Sequence, residues 1–229
     1  MTFRSKAMLI QIIPRPIPTP QTTPVRRIEP SQIVVQHRPL RVLDFDIENR
    51  PLTYLGSDFT TAEVTAIAWA WCDQPDDVTC VLLGEVDPRY MLERFVAAYN
   101  AADMVTGHYI TGHDLPHINA ALMEVRMPTL QAKLVQDTKT SLVRRKGISG
   151  SQESLAGMLL LQHDKVQMNQ TKWRAANRLT REGLAETRKR VVGDVQQHME
   201  MRQTLLDLGY LGPPKRWSGG TADVEPYTP

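Results

Sequence analysis

The chain has 229 residues, 41% of them hydrophobic and 23% charged, with a formal net charge of +2. That length suits one domain of ordinary size, with or without arms. The composition is that of a soluble globular protein, and a near-neutral balance excludes a global field for nucleic acid or membranes, so any such affinity must come from local patches. Cys72 and Cys80 are too few for a disulfide framework or a zinc site and fit reduced core thiols in a cytoplasmic protein, while no apolar run approaches a membrane span.

Residues 1–39 hold seven of the sixteen prolines and also Arg15, Arg26, Arg27 and Arg38. Proline at that density excludes a helix or a central strand and predicts an extended or disordered arm, a tether first and a basic contact arm second. Met8–Ile13 is apolar after Arg4 and Lys6, but it is short, lacks a small-residue cleavage site and runs into prolines, so no signal peptide is expected.

The body is expected over residues 40–210. Arg41–Pro51 reads as a strand from Val42, Leu43, Phe45 and Ile47; Thr65–Trp71 and Thr79–Leu83 follow as two more around the polar turn Gln74–Asp77. Asp87-Pro88 opens a helix whose apolar stripe is Met91, Leu92, Phe95, Val96 and Tyr99. Met104–Ile110 reads as the fourth strand, Asp114-Leu115-Pro116 as a helix start, and Leu134–Val135 as a fifth strand ending at Asp137. A basic loop with Lys139, Arg144, Arg145 and Lys146 precedes a capping box, Ser149 to Gln152, that opens a helix near Gly150. A short helix over Thr171–Asn177 and a long one from Thr180 to about Leu208, stopped by Gly209, complete the body. Residues 211–229 carry no core signal and are expected to form a flexible tail. This order predicts an α/β fold, a mixed central sheet flanked by helices.

Three acidic sites stand out. On the first strand Asp44, Asp46 and Glu48 share one face, neighbours about 7 Å apart. Burying such carboxylates without compensation costs several kcal/mol each, roughly, and a divalent cation with oxygen ligands removes that cost. The plainer alternative is a strand whose acids face solvent. Asp114 lies between a strand and a helix, where an N-cap is the default, and Asp194 lies on the long helix, where a surface acid is the default. Lys172–Arg190 holds seven basic residues against Glu182 and Glu186, either a solvated helix face or a phosphate-facing surface.

Taken in order, Phe45-Asp46-Ile47-Glu48, then Gly107-His108-Tyr109-Ile110-Thr111-Gly112-His113-Asp114-Leu115-Pro116, then Asp194 resemble the three motifs of proofreading-type 3′–5′ exonucleases of the DEDD superfamily, with a cadence similar to phage-encoded members. The second stretch is closest to the branch found in family-B polymerases, with His113 replacing the usual aromatic and Tyr109 standing where Asn is common. The resemblance covers about residues 40–208 and implies a ribonuclease H-like fold. It also implies hydrolysis of single-stranded DNA, or of the 3′ ends of duplex DNA, with two divalent cations, Mg²⁺ or Mn²⁺. It makes Asp46 the bridge between the ions, gives Glu48 and Asp194 one of them, and leaves Asp114 acting on the other. Proofreading in trans beside a separate DNA polymerase, or nucleic-acid processing in phage replication, are the roles it implies.

In the third motif a Tyr or His belongs before the Asp, but Arg190 stands four residues before Asp194. Arginine is not a general base, having a pKa above about 12. It could pair with the acids or bind the scissile phosphate, and His198 and His113 are candidate replacements for the missing base. Lys139, Arg144, Arg145, Lys146 and Arg190 are the expected phosphate contacts. A catalytically weak or inactive ribonuclease H-like module, accessory to a polymerase, is the competing reading. A structural protein whose acidic strand binds nothing is the third.

Overall fold

Strict alternation divides the first strand into an apolar face and an acidic one, and the two layers of the molecule follow from that division. The computed structural model describes residues 38–52, 60–142 and 147–219. The expected arm through residue 37, the basic residues Arg144, Arg145 and Lys146, and residues 220–229 of the expected tail lie outside them. β1 (Val42–Pro51) pairs antiparallel with β2 (Ala62–Trp71), which pairs antiparallel with β3 (Thr79–Leu82). On its other side β1 pairs parallel with β4 (Met104–Gly107), and β4 pairs parallel with β5 (Lys133–Asp137). A final strand, β6 (Lys215–Trp217), runs antiparallel to β5, so the sheet order is β3-β2-β1-β4-β5-β6. The stretch beyond Leu211, which has no core signal in the sequence, therefore supplies an edge strand.

On one face of the sheet, Leu43, Phe45 and Ile47 meet Ile67 and Trp69 of β2 and the buried stripes of α1 (Pro88–Ala101) and α2 (Asp114–Glu124). Phe95 of α1 is the centre of this layer, its ring 5.0 Å from Phe45 and 5.9 Å from Trp69. On the other face lies α6 (Arg181–Asp207), whose Val191, Val195 and Met199 pack on Ala66, Ala68 and Ala70 of β2. Three alanines in a row on that face let the long helix approach the sheet closely. Two short helices, α3 (Thr138–Leu142) and α4 (Gln152–Leu159), and then α5 (Gln170–Asn177) complete the described elements. Among the described residues no helix is long and apolar enough to cross a membrane.

Several local expectations shift for identifiable reasons. β4 ends at Gly107, short of Ile110, because Tyr109 turns to a φ of 72° and Asp137 collects the backbone N–H groups of Tyr109 and Thr111 at 3.1 and 3.0 Å. The cap of α4 is Ser151, which accepts from the Ser154 N–H, and Ser149 instead contacts Ser151. Asp114 is not an N-cap: His113 holds that place without a side-chain bond, and Asp114 is the buried first residue of α2.

The contact between α5 and α6 is made at Gly183, where an added Cβ would lie 2.2 Å from the Ala175 carbonyl oxygen. Gly183→Ala must push the helices apart and is expected to cost about 1–3 kcal/mol. The expected readout is a lower urea midpoint with an unchanged m-value. An unchanged midpoint would mean that the two helices do not meet at this glycine.

Candidate functional site

β1 outlasts its parallel neighbour. Pairing with β4 stops at Asp44, opposite Thr106, so the following residues of β1 have an open edge on that side. A buried backbone N–H at such an edge needs a partner, and Asp114 provides it, its Oδ1 accepting from the Ile47 N–H at 3.2 Å. This bond seats Asp114 against the strand between Asp46 and Glu48.

From the opposite side α6 lies along the acidic face of β1. Two strand residues span about 6.8 Å and four helical residues about 6.0 Å, so the two ladders stay nearly in step. Glu48 faces Arg190, the Asp46–Glu48 pair faces Asp194, and Asp44 faces His198. One ligand atom from each of Asp46, Glu48 and Asp194 lies within 4.8 Å of the others. The structure thus brings these three acids together, with Asp114 adjoining.

The crowding acts on the carboxyls. Burial, then the charges of Asp114, Asp194 and Glu48, hold the Asp46 carboxyl well above its usual range. Burial raises Glu48 as well, opposed by the Arg190 guanidinium. Arg190 Nε donates to Glu48 Oε1 at 2.5 Å, Nη1 donates to the Val166 carbonyl at 3.0 Å, and Nη2 lies 3.7 Å from Asp194 Oδ2. The indole of Trp173, on α5, lies 5.2 Å from the guanidinium. A second cation, absent from the sequence-based expectations, is Lys165, whose Nζ is 3.2 Å from Asp194 Oδ2. It sits in an aperiodic segment between α4 and α5, and no motif marks it. Asp194 Oδ1 is buried without any hydrogen-bond partner. An all-oxygen donor set with an orphaned buried oxygen fits a hard divalent cation, which Asp46, Glu48 and Asp194 would hold.

His198 does not serve that cluster. Its ring is 2% exposed, and Nδ1 shares a proton with Asp44 Oδ2 across 2.6 Å while Nε2 contacts Thr138 Oγ1 at 3.0 Å. The bonds continue to His108, which burial and the neighbouring His198 lower to about 4 and so keep neutral. Its Nε2–H donates to the Gly150 carbonyl, and its Nδ1 lies 3.0 Å from Thr138 Oγ1, which also meets His198 Nε2 and the Gly107 carbonyl. Both ring nitrogens of His198, the candidate replacement base, are engaged, Nδ1 by Asp44 and Nε2 by Thr138, so that it anchors Asp44. His113 differs: its Nδ1 donates to Asp114 Oδ2 at 3.3 Å and its side chain is 40% exposed. The hydrogen bond to Asp114 is the main cause of its raised pKa.

Of the expected phosphate contacts, Lys139 lies 4.0 Å over the ring of Tyr109, and its charge reaches His113. Arg190 points into the carboxylates. Much of the basic run is paired within the chain, Arg188 with Glu85, and Lys172 and Lys189 with Glu186. Gln152 fastens the back of the site by donating to the Asp194 carbonyl and to Gln197 Oε1.

Two outcomes follow from this geometry. Asp46 is raised in the folded state, so its ionisation is opposed by folding, and this contribution to stability is fully present at low pH and lost as pH rises through the folded pKa. Asp46→Asn in EDTA is therefore expected to raise Tm at pH 8 by about 2–4 °C, the effect of ~1 kcal/mol in a chain of this size, and by less at pH 5. An equal effect at both values would contradict the raised carboxyl. His198→Ala leaves Asp44 buried without its partner and should cost about 3–5 kcal/mol in chemical denaturation.

Neither a protein-family model nor a curated protein matches the sequence. Among solved structures, the chain is similar to the family B DNA polymerase from the hyperthermophilic archaeon Pyrobaculum calidifontis, with a TM-score of 0.60 and 16% identity. The match takes in 76% of this chain and 25% of the polymerase chain. At that identity the likeness speaks for the fold. Three antiparallel strands continued by two parallel ones and flanked by helices make the described body an α/β domain of ribonuclease H-like architecture.

Proposed function

We propose that the chain is a divalent-metal-dependent 3′–5′ exonuclease acting on single-stranded DNA or on the 3′ ends of duplex DNA. The observation that carries this reading is the convergence of Asp46, Glu48 and Asp194 within 4.8 Å, with Asp114 fixed beside them on the Ile47 N–H. The likeness to a family B DNA polymerase supports it at the level of fold, over 25% of that chain. Proofreading in trans with a separate DNA polymerase, or processing of nucleic acid in phage replication, are the settings in which such an activity would act.

Asp46, Glu48 and Asp194 would hold the cation, Mg²⁺ or Mn²⁺. When bound, a divalent ion there makes a water more acidic and offsets charge on the attacked phosphate. Asp114, oriented by the Ile47 N–H, fixes the Nδ1–H tautomer of His113. That leaves the exposed Nε2 as a proton-accepting nitrogen, the arrangement that a general base needs. Lys139 and the ring of Tyr109 beneath it offer a charge and a flat face to a strand end. The resemblance implies two ions, a count against which Lys165 and Arg190 weigh.

A second reading, a catalytically inactive binding module accessory to a polymerase, draws on one observation. Arg190 occupies the place of a base and neutralises Glu48.

The deciding experiment uses a 5′-labelled single-stranded oligonucleotide with Mn²⁺, Mg²⁺ or EDTA. The expected result is a ladder shortening from the 3′ end, lost in EDTA and reduced to background by the Asp46→Ala, Glu48→Ala double variant. A folded wild type that raises its Tm with metal yet leaves single-stranded, duplex and RNA substrates intact would establish the binding module instead.

A further inference from the structure

The number of ions follows from how the carboxylates are already partnered, and the inference rests on the metal-dependent reading above. Asp46, Glu48, Asp114 and Asp194 contribute four negative charges, and Lys165 and Arg190 place two positive ones among them. With all four ionised and His113 neutral, two negative charges are left over, which one divalent cation would offset. The occupied oxygens agree: Glu48 Oε1 belongs to Arg190 and Asp194 Oδ2 to Lys165, whereas Asp194 Oδ1 is buried and unpartnered.

Neither cation is a loose surface side chain. The segment that carries Lys165 is clasped to α6 at successive points. The Gln162 and His163 N–H groups donate to Glu200 at 2.8 and 3.1 Å, Gln197 donates to the His163 carbonyl at 2.7 Å, and Arg190 donates to the Val166 carbonyl. Lys165 is thereby delivered to Asp194 with its side chain 19% exposed, and Arg190 is held from three sides by Glu48, Val166 and Trp173. Moving Lys165 aside for a second ion would break its pairing with Asp194, and moving Arg190 would break its bonds to Glu48 and to the Val166 carbonyl.

We propose that the site binds a single divalent cation and that Lys165 and Arg190 take the place of a second. Asp46, Asp194 through Oδ1, and the Glu48 oxygen left by Arg190 would hold the ion. Lys165 is then a permanent part of the charge presented to a phosphate.

The test is Mn²⁺ binding to the full chain by equilibrium dialysis, with free Mn²⁺ followed by electron paramagnetic resonance and no nucleic acid present. Wild type is expected to bind one Mn²⁺ per chain, and Lys165→Met, which takes the nearer cation from Asp194 Oδ2, to bind a second more weakly. Two ions on the wild type, or none, would overturn the proposal, as would a single ion on a Lys165→Met protein whose circular dichroism shows it folded. Should Lys165→Met fail to fold, Lys165→Gln replaces it, and the wild-type count still decides. The oligonucleotide assay separates the two readings. Turnover with two bound ions sinks the single-ion site and keeps the exonuclease, whereas one bound ion without turnover does the reverse.

Discussion

The match in spacing between a strand and a helix is the constraint on which the rest of the molecule depends. β1 presents a carboxylate every second residue and α6 presents a polar partner every fourth, at nearly the same repeat. Asp44 therefore meets His198, the Asp46–Glu48 pair meets Asp194, and Glu48 meets Arg190, all from one helix face. The small side chains of Ala66, Ala68 and Ala70 on β2 set the distance at which this happens. A one-residue slip of β1 would turn Phe45 toward α6 and carry the acids into the layer of Phe95 and Tyr99, so the apolar face protects the register of the polar one.

Carboxylates in this protein fall into groups according to what satisfies them. Asp137 is used up by backbone: it accepts from Tyr109, Thr111 and Thr140, and so shapes the loop that leads to Asp114. Asp114 gives one oxygen to Ile47 and the other to His113. Glu48 and one oxygen of Asp194 are met by cations. The second oxygen of Asp194 is left buried and unmet, and Asp194 shares its cluster with Asp46 and Glu48. Asp44 Oδ1 is also buried and unpartnered, but Asp44 is spoken for by His198, and among the described residues it joins no group of three ligand side chains.

Local rules carry far in this sequence because most elements obey them. Alternation marks β1, the Asp87-Pro88 start and the 3.6-residue stripe mark α1, and Thr180 with Gly209 brackets α6 within a residue or two. The acids Asp46, Glu48, Asp114 and Asp194 are legible as an ordered set. Their partners are not. Lys165 and the segment around it follow no period, so only the fold brings them to Asp194. His198 is legible as one turn beyond Asp194, but its commitment to Asp44, 154 residues away, is a property of the β1–α6 register. β6 is missed because three residues, two of them basic and exposed, make a strand only when β5 offers an unpaired edge.

The arginine at position 190 is best understood through its neighbours. On an isolated helix it would be an ordinary i, i+4 partner for Asp194, worth a few tenths of a kcal/mol, roughly. In this protein it is half enclosed, bonded to a strand acid, a loop carbonyl and an indole face. A guanidinium so placed has no lone pair to receive a proton, and proton transfer in the proposed reaction falls to another group. Among the described residues bonded to one of the four acids of the ordered set, only His113 and Lys165 carry a titratable nitrogen. The ammonium of Lys165 is a donor while charged, whereas His113 has Nδ1 engaged by Asp114, a solvent-exposed ring and a second nitrogen available. In the proposed reaction proton handling would then belong to the start of α2, and α6 would supply charge.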